Sequence, residues 1–282
     1  MALVVDVPAA VEEELSAEIG SDALGVLVER GAKGWNVLEV CLPGDADVAA
    51  RARAAEASLA ARGLSPGGRV RIRPIEDGRW VERYRAALVP LPIGDRFVVL
   101  PSPRCEGTGG REPLRIVPGR AFGTGEHPTT RLCAAALERA VRSGSRWLDL
   151  GTGSGILAVL AARCGAGAVV AVDVDPDAVE AARETVLANA VEDRVSVRLG
   201  SVEALAGADL DGCVANVAAP FFLARAGEIA SCLRAGGSLL SSGVLAAEAA
   251  SVAAAFEDAG IETEETRTEG EWAILVSRRR GA

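Results

Sequence analysis

Short apolar runs alternate with amphipathic stretches through the second half of the chain. The apolar runs predict strands at residues 146–150, 168–172, 195–199, 212–217 and 238–242. Apolar residues at helical spacing predict helices at residues 156–163, 176–189, 221–233 and 246–259. Two last runs, 262–267 and 271–277, flank Glu269-Gly270 and predict an antiparallel pair. This alternation is typical of an α/β fold with a doubly wound, mostly parallel sheet, here of seven strands.

The first 75 residues follow a different pattern and predict a separate small domain. Predicted strands lie at residues 2–7, 25–29, 35–42 and 69–75, and predicted helices at 8–19 and 46–61. The resulting βαββαβ order is typical of a ferredoxin-like α+β unit. Because residues 1–75 contain no motif with evident chemistry, we interpret them as a folding or docking module.

A connecting helix is predicted between the two parts of the chain. Trp80, Val81, Tyr84 and Leu88 recur at helical spacing, and Pro90 ends the pattern. We therefore predict a connecting helix within residues 76–89 and a second domain over residues 90–282. At the start of that domain, residues 95–100 read as a strand and residues 101–113 as a polar, glycine-rich loop.

Charge and composition exclude several classes of function. The 282 residues hold 30 Lys and Arg against 39 Asp and Glu, for a net charge of −9. No basic block is present, so direct nucleic-acid recognition is not expected, whereas a cationic partner would be attracted. No apolar run approaches the roughly 18 residues of a membrane span, and no signal peptide is recognised at the start. The six cysteines are scattered, which favours reduced thiols in a cytoplasmic protein and no metal site.

The strongest candidate site is the glycine loop that follows the strand at residues 146–150. Gly151, Gly153 and Gly155 let the backbone turn sharply and let a ligand approach the main chain. Ile156 stands where the dinucleotide fingerprint has its third glycine, which disfavours a pyrophosphate ligand. A ligand with a zwitterionic tail and a ribose fits this spacing better. Asp149, just before the loop, would accept from an ammonium group or orient the loop.

A carboxylate and an amide follow two neighbouring strands of the predicted sheet. Asp173 lies 173 − 151 = 22 residues beyond Gly151, which is the length of one helix and one strand. It should therefore arrive beside the glycine loop and bind ribose hydroxyls, while Asp175 caps the next helix with Pro176 in its first turn. Asn216 ends the fourth strand, where its side-chain oxygen could accept from an amine and aim the nitrogen lone pair.

A polar loop at residues 121–130 adds a third set of candidates. It contains the only histidine, His127, which lacks metal partners at useful spacing. Two glycines and Phe122 suggest a segment that closes over a ligand. Thr129 and Thr130 precede a helix predicted from residue 132, so one of them is expected to cap it and the other to face the ligand.

Taken together, these segments resemble class I S-adenosylmethionine-dependent methyltransferases, and more narrowly the ribosomal protein L-eleven methyltransferase family (PrmA). The resemblance covers residue 78 to the C-terminus. It is carried by residues 118–130, 148–157, 172–176, 215–216 and 269–272. The most family-specific part is the segment around Phe122, Gly123 and Thr124.

The resemblance implies S-adenosyl-L-methionine as cofactor and a protein N-methyltransferase as function. It implies cofactor contacts from Thr130, Gly151, Asp173 and Asn216, with Phe122 and Gly123 closing over the ligand. Gly153 and Asp149 belong to the same candidate site, and Asn216 is the candidate catalytic residue. The implied acceptors are lysine or N-terminal amines of ribosomal protein L-eleven, at the stalk base of the large subunit, held by the domain at residues 1–75.

Other readings of the same site stay open at this point. A nucleic-acid or glutamine methyltransferase would usually follow the strand-four asparagine with Pro-Pro and an aromatic residue, whereas Val217-Ala218-Ala219 follows here. A methyltransferase of a small-molecule amine or of another protein is possible on the same residues. A nicotinamide oxidoreductase is disfavoured by the glycine spacing, and an assembly factor that binds the cofactor without catalysis is the non-enzymatic alternative.

Overall fold

The structure is a computed structural model that describes residues 2–19, 25–30, 34–42, 46–73, 90–100, 108–116 and 125–281. Its contacts divide the chain into two compact units, Met1–Leu88 and Val89–Ala282. Secondary-structure elements are numbered here along the described residues. The predicted connecting helix at residues 76–89 lies outside them.

The first unit is built on a four-stranded antiparallel sheet. Its elements are β1 Ala2–Pro8, α1 Glu12–Ile19, β2 Gly25–Arg30, β3 Trp35–Cys41, α2 Val48–Ala61 and β4 Val70–Arg73. The sheet order is β2-β3-β1-β4. Leu3, Leu38 and Leu59 are among the buried core residues. Asp47 caps α2 by accepting a 2.9 Å hydrogen bond from the Ala50 N–H, which explains why that helix begins at residue 48 rather than 46.

A small three-stranded sheet opens the second unit and corrects one sequence prediction. It contains β5 Leu91–Ile93, β6 Phe97–Leu100 and β7 Glu112–Arg115, in that order. Residues 101–113 were expected to form a loop, but Glu112 and Pro113 belong to β7, which runs parallel to β6. Pro113 is tolerated because β7 is an edge strand, where a missing N–H breaks no ladder bond. Residues 101–107 lie outside the described part.

The main sheet of the second unit has seven strands. They are β8 Arg146–Leu150, β9 Ala168–Asp173, β10 Val195–Leu199, β11 Leu210–Asn216, β12 Leu233–Leu245, β13 Ile261–Glu269 and β14 Trp272–Arg279. Their order is β10-β9-β8-β11-β12-β14-β13, with only β14 antiparallel to its neighbours. The predicted doubly wound, mostly parallel sheet with a terminal antiparallel pair is therefore confirmed.

Helices cover both faces of this sheet and create two hydrophobic cores. They are α3 Pro128–Ala140, α4 Ile156–Arg163, α5 Pro176–Ala188, α6 Ala219–Cys232 and α7 Ala249–Asp258. Because successive side chains of a strand point to opposite faces, Trp147 of β8 packs in one core and Leu148 in the other. Burying each large apolar side chain contributes roughly 1.5–3 kcal/mol, so both faces hold the strands firmly.

The strand order reverses between β8 and β11, and this point locates the ligand crevice. From β8 the chain proceeds to β9 and β10 on one side and then returns to β11 on the other. Ligands of such sheets bind outside the carboxyl ends of the strands at this switch point. Every helix within the described residues is too short or too polar to cross a membrane.

Candidate functional site

A cavity of about 290 Å³ lies at the carboxyl ends of β8, β9, β10 and β11. Among its lining residues are five that the sequence analysis selected: Thr130, Gly151, Gly153, Asp173 and Asn216. They come from four separate parts of the chain, and the fold brings them to one crevice. The predicted closing residues Phe122 and Gly123 lie outside the described residues.

The glycine loop is bent in a way that only glycine adopts easily. Gly151 and Gly155 have φ values of +70° and +82°, in the left-handed region. A Cβ on Gly151 would lie 2.5 Å from Cγ1 of Val217, and one on Gly155 would lie 3.0 Å from Cα of Ala182. The N–H groups of Gly151 and Thr152 both donate to the Val172 carbonyl, at 2.9 and 3.0 Å. The loop is thereby fixed against β9 before any ligand binds.

Asp149 lies behind the glycine loop rather than in the cavity. Its side chain is fully buried, and Oδ2 accepts hydrogen bonds from Thr152 Oγ1 at 2.6 Å and from the Ala158 N–H at 2.9 Å. Oδ1 has no partner within the described part of the chain. Of the two roles considered for Asp149, the geometry favours orienting the loop and the first turn of α4.

Burial raises the pKa of the Asp149 carboxyl to about 7, although the hydrogen bonds from Thr152 and Ala158 oppose the shift. The folded state therefore binds a proton that the unfolded state, with a pKa near ~3.9, releases. The stabilisation from this proton is complete below about pH 4 and is lost as the pH rises towards 7.

We expect Asp149→Asn to remove this pH dependence, because asparagine resembles the protonated carboxyl. Between pH 5 and 7 the free energy of unfolding of the wild type should fall, relative to the variant, by about 1.4 kcal/mol per pH unit. Urea denaturation of both proteins at pH 5, 6, 7 and 8 measures the difference. Parallel curves would mean that Asp149 is ionised throughout.

Asp173 joins the glycine loop to the end of β9. Its Oδ2 accepts from the Gly153 N–H at 2.9 Å and its Oδ1 from the Asp175 N–H at 3.1 Å. A carboxylate has about four acceptor positions, so two remain for a ligand on this half-buried side chain. Asp175 caps α5 as predicted, accepting from the Asp177 N–H at 2.9 Å with Pro176 in the first turn.

Thr130 lies in the first turn of α3, and here the predicted helix start was wrong. The helix begins at Pro128 instead of residue 132, and its cap is neither Thr129 nor Thr130 but His127. Nδ1 of His127 accepts from the Thr129 N–H at 3.3 Å and lies 2.7 Å from Thr129 Oγ1. Thr130 is thereby left to face the cavity, and its buried Oγ1 has no hydrogen-bond partner among the described residues.

The turn between β13 and β14 holds the start of α3 in place. Arg131 Nε donates to Oε1 of Glu269 at 2.9 Å, and the same guanidinium donates to the Glu126 carbonyl. The ring of His127 meets that of Trp272 edge to face, with centroids 4.8 Å apart. These contacts explain why residues 269–272 are among the segments that carry the family resemblance although they do not line the cavity. They position the first turn of α3, which presents Thr130 to the cavity.

Asn216 ends β11 and lines the cavity with a half-buried side chain. Within the part of the chain that the structure describes, its amide makes no hydrogen bond. The next residue is tied to β12, because the Val217 N–H donates to the Ser242 carbonyl at 3.1 Å. Gly243 permits this approach, since a Cβ there would lie 2.6 Å from the Val217 carbonyl oxygen. The backbone next to Asn216 is therefore fixed, while its side-chain amide remains available to a ligand in the cavity.

Sequence reasoning missed several residues that line the same cavity: Thr152, Val174, Gly200, Ser201, Val217 and Phe221. Gly200 and Ser201 follow β10, so the rule that ligands bind beyond the carboxyl ends of strands could have found them. Val174 follows Asp173 and is 73% exposed, which is unusual for a valine. No pattern in the sequence singles out Phe221, which reaches the cavity from the first turn of α6.

Comparison with known proteins agrees with this geometry. The family described as "Ribosomal protein L11 methyltransferase (PrmA)" matches residues 28–280. A relative of that name from Symbiobacterium thermophilum is 42% identical over 216 residues, which are 76% of this chain and 70% of the relative. One from Chloroflexus aurantiacus is 39% identical over 241 residues, 77% of this chain and 74% of the relative.

A solved structure extends the comparison to the fold. The crystal structure of a ribosomal protein L11 methylase from Lactobacillus delbrueckii subsp. bulgaricus superposes with a TM-score of 0.59 at 27% identity. The match covers 69% of this chain and all of that one. The resemblance seen in the glycine loop, the phenylalanine–glycine–threonine segment and the strand-end asparagine is thus confirmed: this chain belongs to the ribosomal protein L11 methyltransferase (PrmA) family.

Proposed function

We propose that this protein transfers methyl groups to lysine or N-terminal amines of ribosomal protein L11, the substrate in its relatives' names. The family and the fold imply S-adenosylmethionine as methyl donor. The observation that carries the proposal is the meeting of a glycine loop, Asp173 and Asn216 in one cavity at the switch point of the sheet.

The residues around the cavity suit such a cofactor. Gly151 lines the cavity with main chain alone, and a Cβ there would collide with Val217, so a ligand meets bare backbone at this position. Asp173 has acceptor positions left for two ribose hydroxyls, as acidic residues have in nucleotide-binding sheets. The unpartnered Thr130 Oγ1 offers a donor and an acceptor to the polar tail. We propose that these residues, with Gly153, hold the cofactor.

Bound S-adenosylmethionine supplies a methyl group on a positively charged sulfur. Because the sulfur leaves as a neutral thioether, no acid is needed to protonate the leaving group. The acceptor amine must be unprotonated, although lysine and α-amino groups have reference pKa values near ~10.4 and ~7.7–8.0. Asn216 would accept a hydrogen bond from this amine and direct its lone pair. Positioning of this kind can lower a barrier by roughly 7–11 kcal/mol. We therefore propose no protein base and assign none to His127, whose Nδ1 serves the helix cap.

The charge of the chain and its first unit favour a cationic protein substrate. At a net charge of −9 the chain attracts basic partners and speeds their encounter. We propose that residues 1–75 form a ferredoxin-like domain that binds the substrate protein, a proposal supported by the antiparallel order β2-β3-β1-β4 and the two helices of this unit. The five described cysteines are free, as expected of a cytoplasmic enzyme, the location that we propose.

Mass spectrometry of purified L11 tests this function. Incubation with the protein and methyl-labelled S-adenosylmethionine should add one or more labelled methyl groups to L11, located by fragmentation on lysine side chains or the N-terminal amine. An Asn216→Ala sample serves as control and should show far less label. Label on free amines or other proteins, with none on L11, would favour the alternative of a different amine substrate.

A shortened chain that starts at residue 90 separates the roles of the two units in the same assay. It should still bind S-adenosylmethionine in calorimetry, because every described residue of the cavity lies between 130 and 221. It should fail to methylate folded L11. Methylation at the rate of the full chain would contradict the proposed role of residues 1–75.

A further inference from the structure

A second cavity, of about 460 Å³, lies at the opposite edge of the main sheet. It is lined by the last turn of α3 and by residues near the amino ends of β8, β11 and β12, with β13 and β14 at one side. The candidate cofactor residues are at the carboxyl ends of the same strands, so the two cavities share no lining residue.

Arginines dominate the lining of this second cavity. Arg139, Arg142, Arg234, Arg267 and Arg278 line it, and the acidic lining residues are Asp211 and Glu265. The lining therefore carries 5 − 2 = +3, or 5 − 3 = +2 once Glu264, which pairs with Arg278, is included, in a chain whose net charge is −9. A concave site lined by one sign of charge focuses its field and raises the local concentration of counter-ions.

Three of these arginines are held in place by carboxylates. Arg234 Nε donates to Asp211 at 2.7 Å, Arg278 Nε to Glu264 at 2.7 Å, and Arg267 Nη2 to Glu265 at 2.6 Å. The Arg146 N–H and Arg234 lower the pKa of Asp211, so that carboxylate stays charged at neutral pH. Each guanidinium has five N–H donors, and these bonds leave some of them for a ligand.

The other two arginines are the uncompensated positive charges of the cavity. Arg142 Nη1 donates to the Arg139 carbonyl at 2.6 Å, which directs that side chain over the end of α3. Within the described residues, neither Arg139 nor Arg142 forms an ion pair. A carboxylate or phosphate placed here would gain charge-assisted hydrogen bonds, for which the guanidinium fork has bidentate geometry.

Apolar groups complete the cavity beneath the arginines. Ala140 and Val276 line the cavity and are partly exposed, so they contribute its apolar surface. Trp147 also lines it but is only 1% exposed, and its indole Nε1 donates a 3.0 Å hydrogen bond to Ser145 Oγ. The volume lies within the range of roughly 300–1,000 Å³ that is usual for small-molecule sites. The cavity thus combines several anion-binding groups with room for an organic part.

We propose that this cavity binds a small ligand that carries two or more phosphate groups, with its organic part against Ala140 and Val276. Because two guanidiniums are uncompensated, a ligand with two phosphate groups matches the charge of the cavity better than a ligand with a single phosphate group. A nucleic-acid strand is a poorer match, because it needs positive charge spread along an extended surface and this charge is confined to one concavity of an acidic chain. The site is independent of the proposed methyl transfer.

Calorimetry on the full chain tests the proposal, with pyrophosphate, ADP and inorganic phosphate as probes. S-Adenosylhomocysteine is kept saturating so that the cofactor cavity is excluded as the binding place. Pyrophosphate and ADP should bind with one-to-one stoichiometry, and phosphate at least about tenfold more weakly, since a single phosphate can accept from fewer of the guanidinium donors. Binding should weaken at high salt.

The double variant Arg139→Gln/Arg142→Gln should weaken pyrophosphate at least about tenfold. Arg183→Gln is the matched control, because Arg183 is an exposed arginine of α5 outside the cavity, and it should leave the affinity unchanged. A second double variant, Arg139→Lys/Arg142→Lys, should give an intermediate affinity, since lysine keeps the charge but loses the bidentate geometry. Equal melting temperatures establish that the variants are folded.

Three results would overturn the proposal: no heat with pyrophosphate or ADP, binding that the double glutamine variant leaves unchanged, or a short RNA that binds more tightly than ADP through the same arginines. The last would make the cavity part of a nucleic-acid surface.

Discussion

Asp173→Ala is expected to weaken the binding of S-adenosylmethionine by about 100-fold. The side chain would lose two ribose hydrogen bonds to a charged acceptor, worth about 1.5 kcal/mol each at the low end. It would also lose the bond to the Gly153 N–H that fixes the glycine loop. Isothermal titration calorimetry with S-adenosylmethionine and S-adenosylhomocysteine measures the effect, and both ligands should be affected alike because they share the ribose.

Asp177→Ala provides a matched control for this experiment. It also removes one negative charge, but from the first turn of α5, where the Asp177 side chain is exposed and does not line the cavity. Its effect on affinity should stay within about twofold, since an exposed charge is well screened. Similar losses in both variants would show that Asp173 acts only through the field of its charge and does not bind the ribose.

Asn216→Ala is expected to lower kcat by about 100-fold while changing the cofactor Kd less than about threefold. Its amide would contact the acceptor amine, so its removal should cost about 2.7 kcal/mol, mainly in the transition state. Initial rates with labelled cofactor give kcat, and calorimetry gives the Kd. The effect on kcat should exceed the effect on Kd because Gly151, Asp173 and Thr130, which we propose to hold the cofactor, remain in place.

A second variant, Asn216→Gln, tests whether position matters. Glutamine keeps the amide but moves it by one methylene, so kcat should remain low although the chemistry of the group is unchanged. Recovery of the full rate with glutamine would argue against a fixed orientation. Equal losses of kcat and cofactor affinity in Asn216→Ala would remove the orienting role altogether.

Periodicity alone located several strands and helices of the second unit. The strands at residues 146–150 and 195–199 and the helix at residues 156–163 have the predicted bounds, because apolar residues recur in each of them between clear breakers. Elements with unusual residues were less predictable. β12 extends over Leu233–Leu245 instead of residues 238–242, since Gly236, Gly237 and Gly243 hide its length from any hydrophobic pattern.

Local chemistry explains the remaining errors in the elements. The start of α3 was missed because its cap is a histidine, whereas Ser, Thr, Asp and Asn are the residues that mark helix starts. β7 was missed because Pro113 disfavours a strand, and only the finished sheet shows that β7 lies at an edge. The cap of α3 is thus local but of an uncommon residue type, whereas β7 depends on its pairing with β6, which lies outside any local window.

The candidate site could be predicted where a general rule of the fold supplies the position. Gly151, Asp173 and Asn216 follow strand ends, and the strand order determines that these ends are neighbours. No general rule of the fold predicts the arginine-lined cavity. Its residues are spread between positions 136 and 278, and only the order of the strands brings them together. Single arginines on separate elements look like ordinary surface charges until the elements are assembled.

The support of α3 by the β13–β14 turn has a consequence for the order in which the protein matures on the ribosome. Arg131 is synthesised 269 − 131 = 138 residues before its partner Glu269, and His127 is synthesised 272 − 127 = 145 residues before Trp272. A growing chain could therefore fold the strands around the glycine loop early, yet the first turn of α3 would stay without its support until translation is nearly complete. Prematurely ended products would carry an incomplete form of the cavity that we propose for the cofactor.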